Sequence, residues 1–414
     1  MRSFRFRSCG VVWVALLLSG CAGSQRPQPI LTTVSSGRLT WAGEVPVLHL
    51  YGSPYQIGFQ HGTLLREGVR ASVANMNAFI NRGVGIPLAG RWLARRKLDQ
   101  TWRQMEPFVP ADYLEELRGL SEGAGVPLRA LQRIHALPEL MATTCASFAA
   151  CGAATRDGRL IQIRNLDWAI QSDVQQYAAV FVVRPEGRAP FISIGWLGFI
   201  GVISGINNRG VSVSEIGSKT SDFGLKGIPM PFLLRRVLEE SDGLDKAVAL
   251  VKEAHRTGGY NYLFADAQQK KAVALETTHS QCAVFWIDQE PKPLYALPVP
   301  NTIFRSDWSM DPAVRDRQRS SRGDPRKPGL ESPEGSKAYD VRYRGQGLLL
   351  RQFHGRIDPE VAMAIARAIA PSSNVQSVVY AYPELWVANA VGRKPAAQGK
   401  YFRLDLKELF EETN

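Results

Sequence analysis

Histidine and cysteine are scarce here, six and five among 414 residues. None of them, and no carboxylate cluster, falls at a metal-ligand spacing, so neither a metal nor a cofactor is implied. No Gly-Lys-Ser/Thr follows the glycines at 195, 198, 201 and 205, which excludes a phosphate loop and leaves close strand packing as their reading. Basic residues form no stripe interleaved with aromatics, and zinc-knuckle and helix-turn-helix patterns are missing, so nucleic acid is not an expected partner. The apolar run Val11 to Leu18 is too short to span a bilayer, no other stretch could do so, and there is no internal repeat.

What is present is an ordinary globular composition, 45% hydrophobic and 21% charged, with a formal charge of +12. That balance suits anionic lipid surfaces or acidic substrates, or is simply an unspecific basic surface. Arg2, Arg5 and Arg7 precede the apolar run, and Leu18-Ser19-Gly20-Cys21 follows it. Together they read as a lipoprotein leader over residues 1–20, with Cys21 the lipidated first residue of the mature chain. Ala22 rather than Asp at the next position points to the outer membrane. Residues 21–40 read as a tether, 41–144 as a mostly helical part of the catalytic domain, and 145–414 as the rest of it. A polar stretch at 307–340 reads as a flexible surface insertion.

Ser53-Pro54 opens a helix carrying Gly58 and His61, and helical patterns follow at 71–80, 92–105, 111–122 and 128–136. From Thr144 the pattern changes to short β-branched and aromatic runs separated by turn signals such as Arg156-Asp157-Gly158. Strands are expected at 145–149, 160–164, 178–183, 191–194, 199–206 and 211–216, then two helices at 230–257, then further strands. With Cys9 lost and Cys21 lipidated, Cys145, Cys151 and Cys282 remain. A Cys151–Cys282 pair is permitted but not indicated.

The informative segment is a hairpin. Thr144-Cys145-Ala146-Ser147 opens one strand, Asp157-Gly158 makes the turn, and Arg164-Asn165-Leu166-Asp167-Trp168 ends the next. This order resembles the acyl-coenzyme A:6-aminopenicillanic acid acyltransferase family and its relatives, acid ceramidase and the choloylglycine hydrolases. Tyr55-x-x-Gly58-x-x-His61-Gly62, Gly198-Phe199-Ile200-Gly201, Asn207-x-x-Gly210-Val211 and Gly258-Gly259-Tyr260-Asn261 extend the likeness from about Leu50 to the C-terminus.

The resemblance implies an α+β, four-layer αββα sandwich of the N-terminal nucleophile hydrolase type. The chain would be cut between Thr144 and Cys145, after which Cys145 attacks a linear amide or thioester of a small N-acyl substrate. A thiol needs a base, and in this class the base is the nucleophile's own freed α-amine, whose ordinary pKa of about 7.7–8.0 suits neutral pH. Asp167 would hold that amine, Arg164 would favour the thiolate, Asn301 would donate to the oxyanion, and Arg342, or alternatively Arg344, would be the late arginine. Trp168, Trp196 and Phe199 could line an acyl pocket or pack the core. Thr144 departs from the family's usual Gly, and Asn301-Thr302 stands where the family has Thr-Asn-His. The rivals are a transferase to an amine, a Cys-His hydrolase using His61 or His279 without self-cleavage, and a ligand-binding lipoprotein that is not an enzyme.

Overall fold

The computed structural model describes residues 32–34, 37–82, 88–141, 144–289, 296–318, 338–389 and 394–411. The expected leader and Cys21 lie outside them. The first strands are β1 (Thr32–Val34), β2 (Gly37–Ala42) and β3 (Val45–Gly52). The tether expected up to residue 40 is therefore shorter, and the first third is not purely helical. The alternation Val45-Val47 against Pro46 was too brief to stand out, and β3 is buried on both faces.

Five helices follow, α1 (Pro54–Leu64), α2 (Arg66–Arg82), α3 (Leu88–Met105), α4 (Ala111–Ala124) and α5 (Leu128–Leu140). Ser53 caps α1 in a full capping box with Gln56, as a Ser-Pro start predicts. In α1, Gly58 touches α4 so closely that an added Cβ would lie 1.9 Å from the Glu116 carbonyl oxygen. The glycine motif of this helix is thus a backbone-to-backbone contact, not chemistry.

Then come β4 (Thr144–Ala150), β5 (Ile161–Asp167), β6 (Ala178–Pro185), β7 (Phe191–Trp196), β8 (Ser204–Asn207) and β9 (Val211–Gly217). The strand expected from 199 starts only at Ser204, because Gly198 at φ +86° turns the chain. Helices α6 (Met230–Glu240) and α7 (Leu244–Glu253) lead to β10 (Tyr260–Asp266), β11 (Lys271–Thr277), β12 (Cys282–Trp286) and β13 (Thr302–Arg305). Helices α8 (Pro312–Arg315), α9 (Ala338–Gln352) and α10 (Pro359–Ile369), strands β14 (Asn374–Ala381), β15 (Glu384–Asn389) and β16 (Phe402–Asp405), and helix α11 (Leu406–Glu411) complete the chain.

Ten strands form one sheet, β1-β2-β3-β6-β7-β8-β9-β10-β11-β12, and six form another, β13-β4-β5-β14-β15-β16. Apolar side chains of the two interleave: Ala149 with Leu263 and Ala274, and Val180 and Ile192 with Val378 and Leu385. Helices α1 to α7 cover the larger sheet's outer side and α9 and α10 cover the smaller sheet's. The result is an α+β sandwich in four layers, helix, sheet, sheet, helix. Cys145, Cys151 and Cys282 are all free thiols.

Candidate active site

Pairing of β4 with β5 is antiparallel, with Thr144 opposite Asp167, Cys145 opposite Leu166 and Ser147 opposite Arg164. By strand alternation, Cys145 and Arg164 share one face of the smaller sheet, the face turned to the larger sheet, and Asp167 lies on the other. Arg164 Nη1 donates to Cys145 Sγ at 3.3 Å, and its Nη2 meets Glu215 Oε2 at 3.0 Å. Glu215 comes from β9 of the opposing sheet and lies 3.9 Å from the same sulfur. Thiol, guanidinium and carboxylate are all fully buried.

The backbone N–H of Cys145 donates to Asp307 Oδ1 at 2.8 Å. Arg342 Nη2 stands 2.7 Å from Asp167 Oδ2 and its Nη1 4.0 Å from Asp307 Oδ2, so this arginine lies between the two carboxylates. Asn374 Nδ2 donates to Asp167 Oδ1 at 3.1 Å, at an irregularity in the β14 register. Arg344, the alternative late arginine, is exposed.

Burial sets the electrostatics of the site. Burial pushes the Cys145 thiol up to about 12, although Arg164 pulls it down. Burial also raises Asp167 against the pull of Arg342, and lifts Asp307 to about 7 against Arg342 and the Cys145 amide. A thiol held this way is a poor nucleophile until a base reaches it.

Two expectations need correction. Asn301 is not at the nucleophile: Thr302 pairs with Ala150, at the far end of β4, roughly 17 Å from Cys145 at 3.3 Å per residue. Asn301 is a turn residue at φ +58° whose N–H and side-chain amide both donate to Asp288. Nor is 307–318 part of a flexible insertion. Asp307 is at the site, Ser309 N–H donates to Gln318 Oε1 at 3.1 Å, and Asp311 caps α8 while its own N–H donates to Glu276 Oε2. Residues 319–337 of that insertion lie outside the described residues. Ser306-Asp307-Trp308, one strand later than Asn301-Thr302, is the triplet beside Cys145, with an acid where the family pattern has an amide.

The histidines serve packing. His61 Nε2 accepts from the Gly198 N–H at 3.1 Å, and its pKa is driven down to about 3 by burial. His279 Nδ1 contacts the Arg256 carbonyl. Phe199 stacks on His135 at 4.6 Å between ring centres. Trp196 is in the apolar cluster that contains Cys145 and Leu166, and Trp168 packs against it. Glu215, Asp307 and Asn374 were not singled out in the sequence. The one available signal was an acid inside the small and apolar strand Val211-Ser212-Val213-Ser214-Glu215-Ile216.

The chain is thus an α+β sandwich in four layers, with a cysteine opening a strand of its smaller sheet and Arg and Asp on the neighbouring strand. Residues 154–291, a third of the chain, match the family model described as Acyl-coenzyme A:6-aminopenicillanic acid acyl-transferase. That span contains Arg164, Asp167 and Glu215. The chain is 29% identical over 296 residues to protein dcd1B of Dictyostelium discoideum, covering 66% of this chain and 59% of that one. It is 26% identical over 319 residues to dcd1A of the same organism, covering 68% and 71%. The match therefore spans about three-fifths of the length of dcd1B. Among solved structures, it resembles the Caenorhabditis elegans ortholog of N-acylethanolamine-hydrolyzing acid amidase at TM-score 0.42, with 16% identity over 57% of this chain and 92% of that one. Penicillin V acylase from Agrobacterium tumefaciens gives TM-score 0.40 and 12% identity, over 65% and 89%.

Proposed function

We propose that this chain is an amidohydrolase or acyltransferase that cuts itself between Thr144 and Cys145 and then transfers the acyl group of a linear N-acyl substrate through Cys145. The observation that carries this reading is that both atoms of the nucleophile are held: Sγ by Arg164, and the backbone nitrogen by Asp307. That nitrogen is the future α-amine.

In the first reaction Cys145 Sγ attacks the Thr144 carbonyl carbon, the C–N bond breaks, and the thiol's proton ends on the departing nitrogen. Water then opens the thioester, leaving a Thr144 carboxylate and a free thiol on Cys145. In turnover the α-amine takes the thiol's proton, the sulfur attacks the substrate carbonyl, and the amine returns that proton to the leaving group. Asp307 and Asp167, joined by Arg342, fix the amine, and Arg164, itself steadied by Glu215, favours the thiolate. With Asn301 elsewhere, the donor to the oxyanion is drawn from Arg342. The leader supports anchoring by lipid at Cys21 in the cell envelope, where coenzyme A thioesters are not expected, which favours water over an amine as acceptor.

A denaturing gel with N-terminal sequencing tests the reading. Wild type should give two pieces, the second beginning at Cys145, and Cys145→Ala one. An intact wild-type chain that still turned over substrate would exclude the α-amine as base. A screen against N-acyl amino acids, N-acyl ethanolamines, β-lactam amides and bile-salt conjugates, with and without added amine, separates substrate classes and hydrolysis from transfer. Cys21→Ala should lose lipid mass and leave the membrane fraction; wild-type protein without lipid mass would remove the anchor.

A further inference from the structure

We propose that a cleft between α3 and α5, remote from the nucleophile, is a binding site for a phosphate-bearing ligand. The cleft is about 470 Å³ and is lined by Arg95, Arg96, Arg103, Arg129 and Arg133, with Asp99 as the one acid among its lining residues. The arrangement is built by helix spacing: on α3, Arg95 and Arg96 lie three and four residues after Trp92 and four and three before Asp99, Arg103 lies four beyond Asp99, and Arg129 and Arg133 lie one turn apart on α5. Residues so spaced share a helix face.

Five guanidinium groups around one carboxylate repel one another unless an anion joins them. Asp99 accounts for two, Arg133 at 2.7 and 2.9 Å and Arg129 at 2.8 Å. Arg103 reaches only the Asp99 backbone carbonyl, at 3.2 Å. Arg96 lies over the Trp92 ring at 4.9 Å, a contact that leaves its fork free for an anion. Arginine forks match the paired oxygens of phosphate, and a volume in the range of small-molecule cavities leaves room for more than the phosphorus group. At the rim, Trp92 is 57% and Leu93 53% exposed. An exposed indole beside arginines is the composition that sits at a membrane surface, which favours a phosphate carried by a lipid headgroup. The cleft is not the catalytic site: it is lined by residues of α3 and α5, none of which is among those that surround Cys145.

The test titrates the full chain, in neutral detergent micelles, with inorganic phosphate and with dioctanoyl phosphatidic acid, read by calorimetry. Saturable binding is expected, weakened at least about tenfold in Arg95→Gln/Arg96→Gln/Arg103→Gln. Arg156→Gln/Arg209→Gln/Arg317→Gln, which removes equal charge elsewhere, should leave it within about twofold. Arg95→Gln alone, which disturbs none of the Asp99 contacts, provides a variant that folds if the triple one does not, and should weaken binding in the same direction. Tighter binding of the lipid form, lost in Trp92→Ala, identifies a headgroup; equal binding of the two identifies a soluble phosphate, and the cleft stands in either case. No saturable binding of either probe, or equal loss in the distant triple variant, overturns the site.

Discussion

Asp307 is a pH-sensitive carboxyl of the site. Its folded pKa of about 7 lies above the ordinary 3.8, so between about pH 4 and pH 7 the folded chain holds a proton that the unfolded chain releases. Stability from this group therefore falls as pH rises through that window and is flat above it. Asn at this position keeps an acceptor for the Cys145 N–H but cannot ionise. In a Cys145→Ala background, which should stay uncut, the stability of Asp307→Asn relative to its parent should rise between pH 5 and pH 8 by on the order of 1 kcal/mol. The gain is less than the full shift would give, because the side chain is 22% exposed. Thermal melts at the two pH values read this, and an equal difference at both would refute it. The residue shows why the sequence misled: Asn301 offered the expected letter, but one strand too early, and the polar run that starts at Asp307 looked like surface. Glu215 was hidden for another reason, since its partner Arg164 belongs to the other sheet and no spacing in the chain announces that contact.

At the scale of elements, α1 and the β4–β5 hairpin were legible because their signals are local. Ser53-Pro54 starts the helix, and Asp157-Gly158, with Gly158 at φ +74°, supplies the left-handed turn. Strand β3 was not, because the partner that buries it lies far along the chain: it pairs in parallel with β6, Val47 opposite Val180, while β1 and β2 pair only with their neighbours in sequence. The family motif on α1 was visible as letters, yet its meaning is steric. Gly58→Ala puts a methyl group against the Glu116 carbonyl, and Gly119→Ala on α4 meets the Tyr55 carbonyl at 2.1 Å. Backbone cannot swing aside as a side chain does, so either change should cost about 2–3 kcal/mol or more by forcing the helices apart. Chemical denaturation measures it. A cost under about 0.5 kcal/mol would mean that the helices separate freely and that the glycines have another use.

For the molecule as a whole, cleavage before Cys145 would divide a structure whose halves are interleaved rather than adjoining. The first piece supplies β1 to β3 of the ten-stranded sheet, with six residue pairs of β3 along β6 of the second. Helices α4 and α5 add polar contacts buried between the pieces. Arg235 meets Glu116 at 2.6 Å, Tyr113 donates to Glu239 at 2.8 Å, and Glu139 accepts from the Met230 N–H and the hydroxyls of Thr257 and Tyr260. No disulfide among the described residues joins the pieces. Non-covalent contacts must hold them, and separating them would expose apolar helix faces, open a sheet edge and strand charges in one step. The cut protein should therefore elute from gel filtration as one species of the intact mass and resolve into two bands on a denaturing gel without reductant. Glu116→Leu tests the assignment, because it strips one partner from the fully buried Arg235 while Glu239 remains at 2.8 Å. It should lower stability by about 2–4 kcal/mol, in the cut form by release of the pieces at low concentration. If cut wild-type protein separated on dilution in native buffer, the interleaving would not be enough to hold the pieces together.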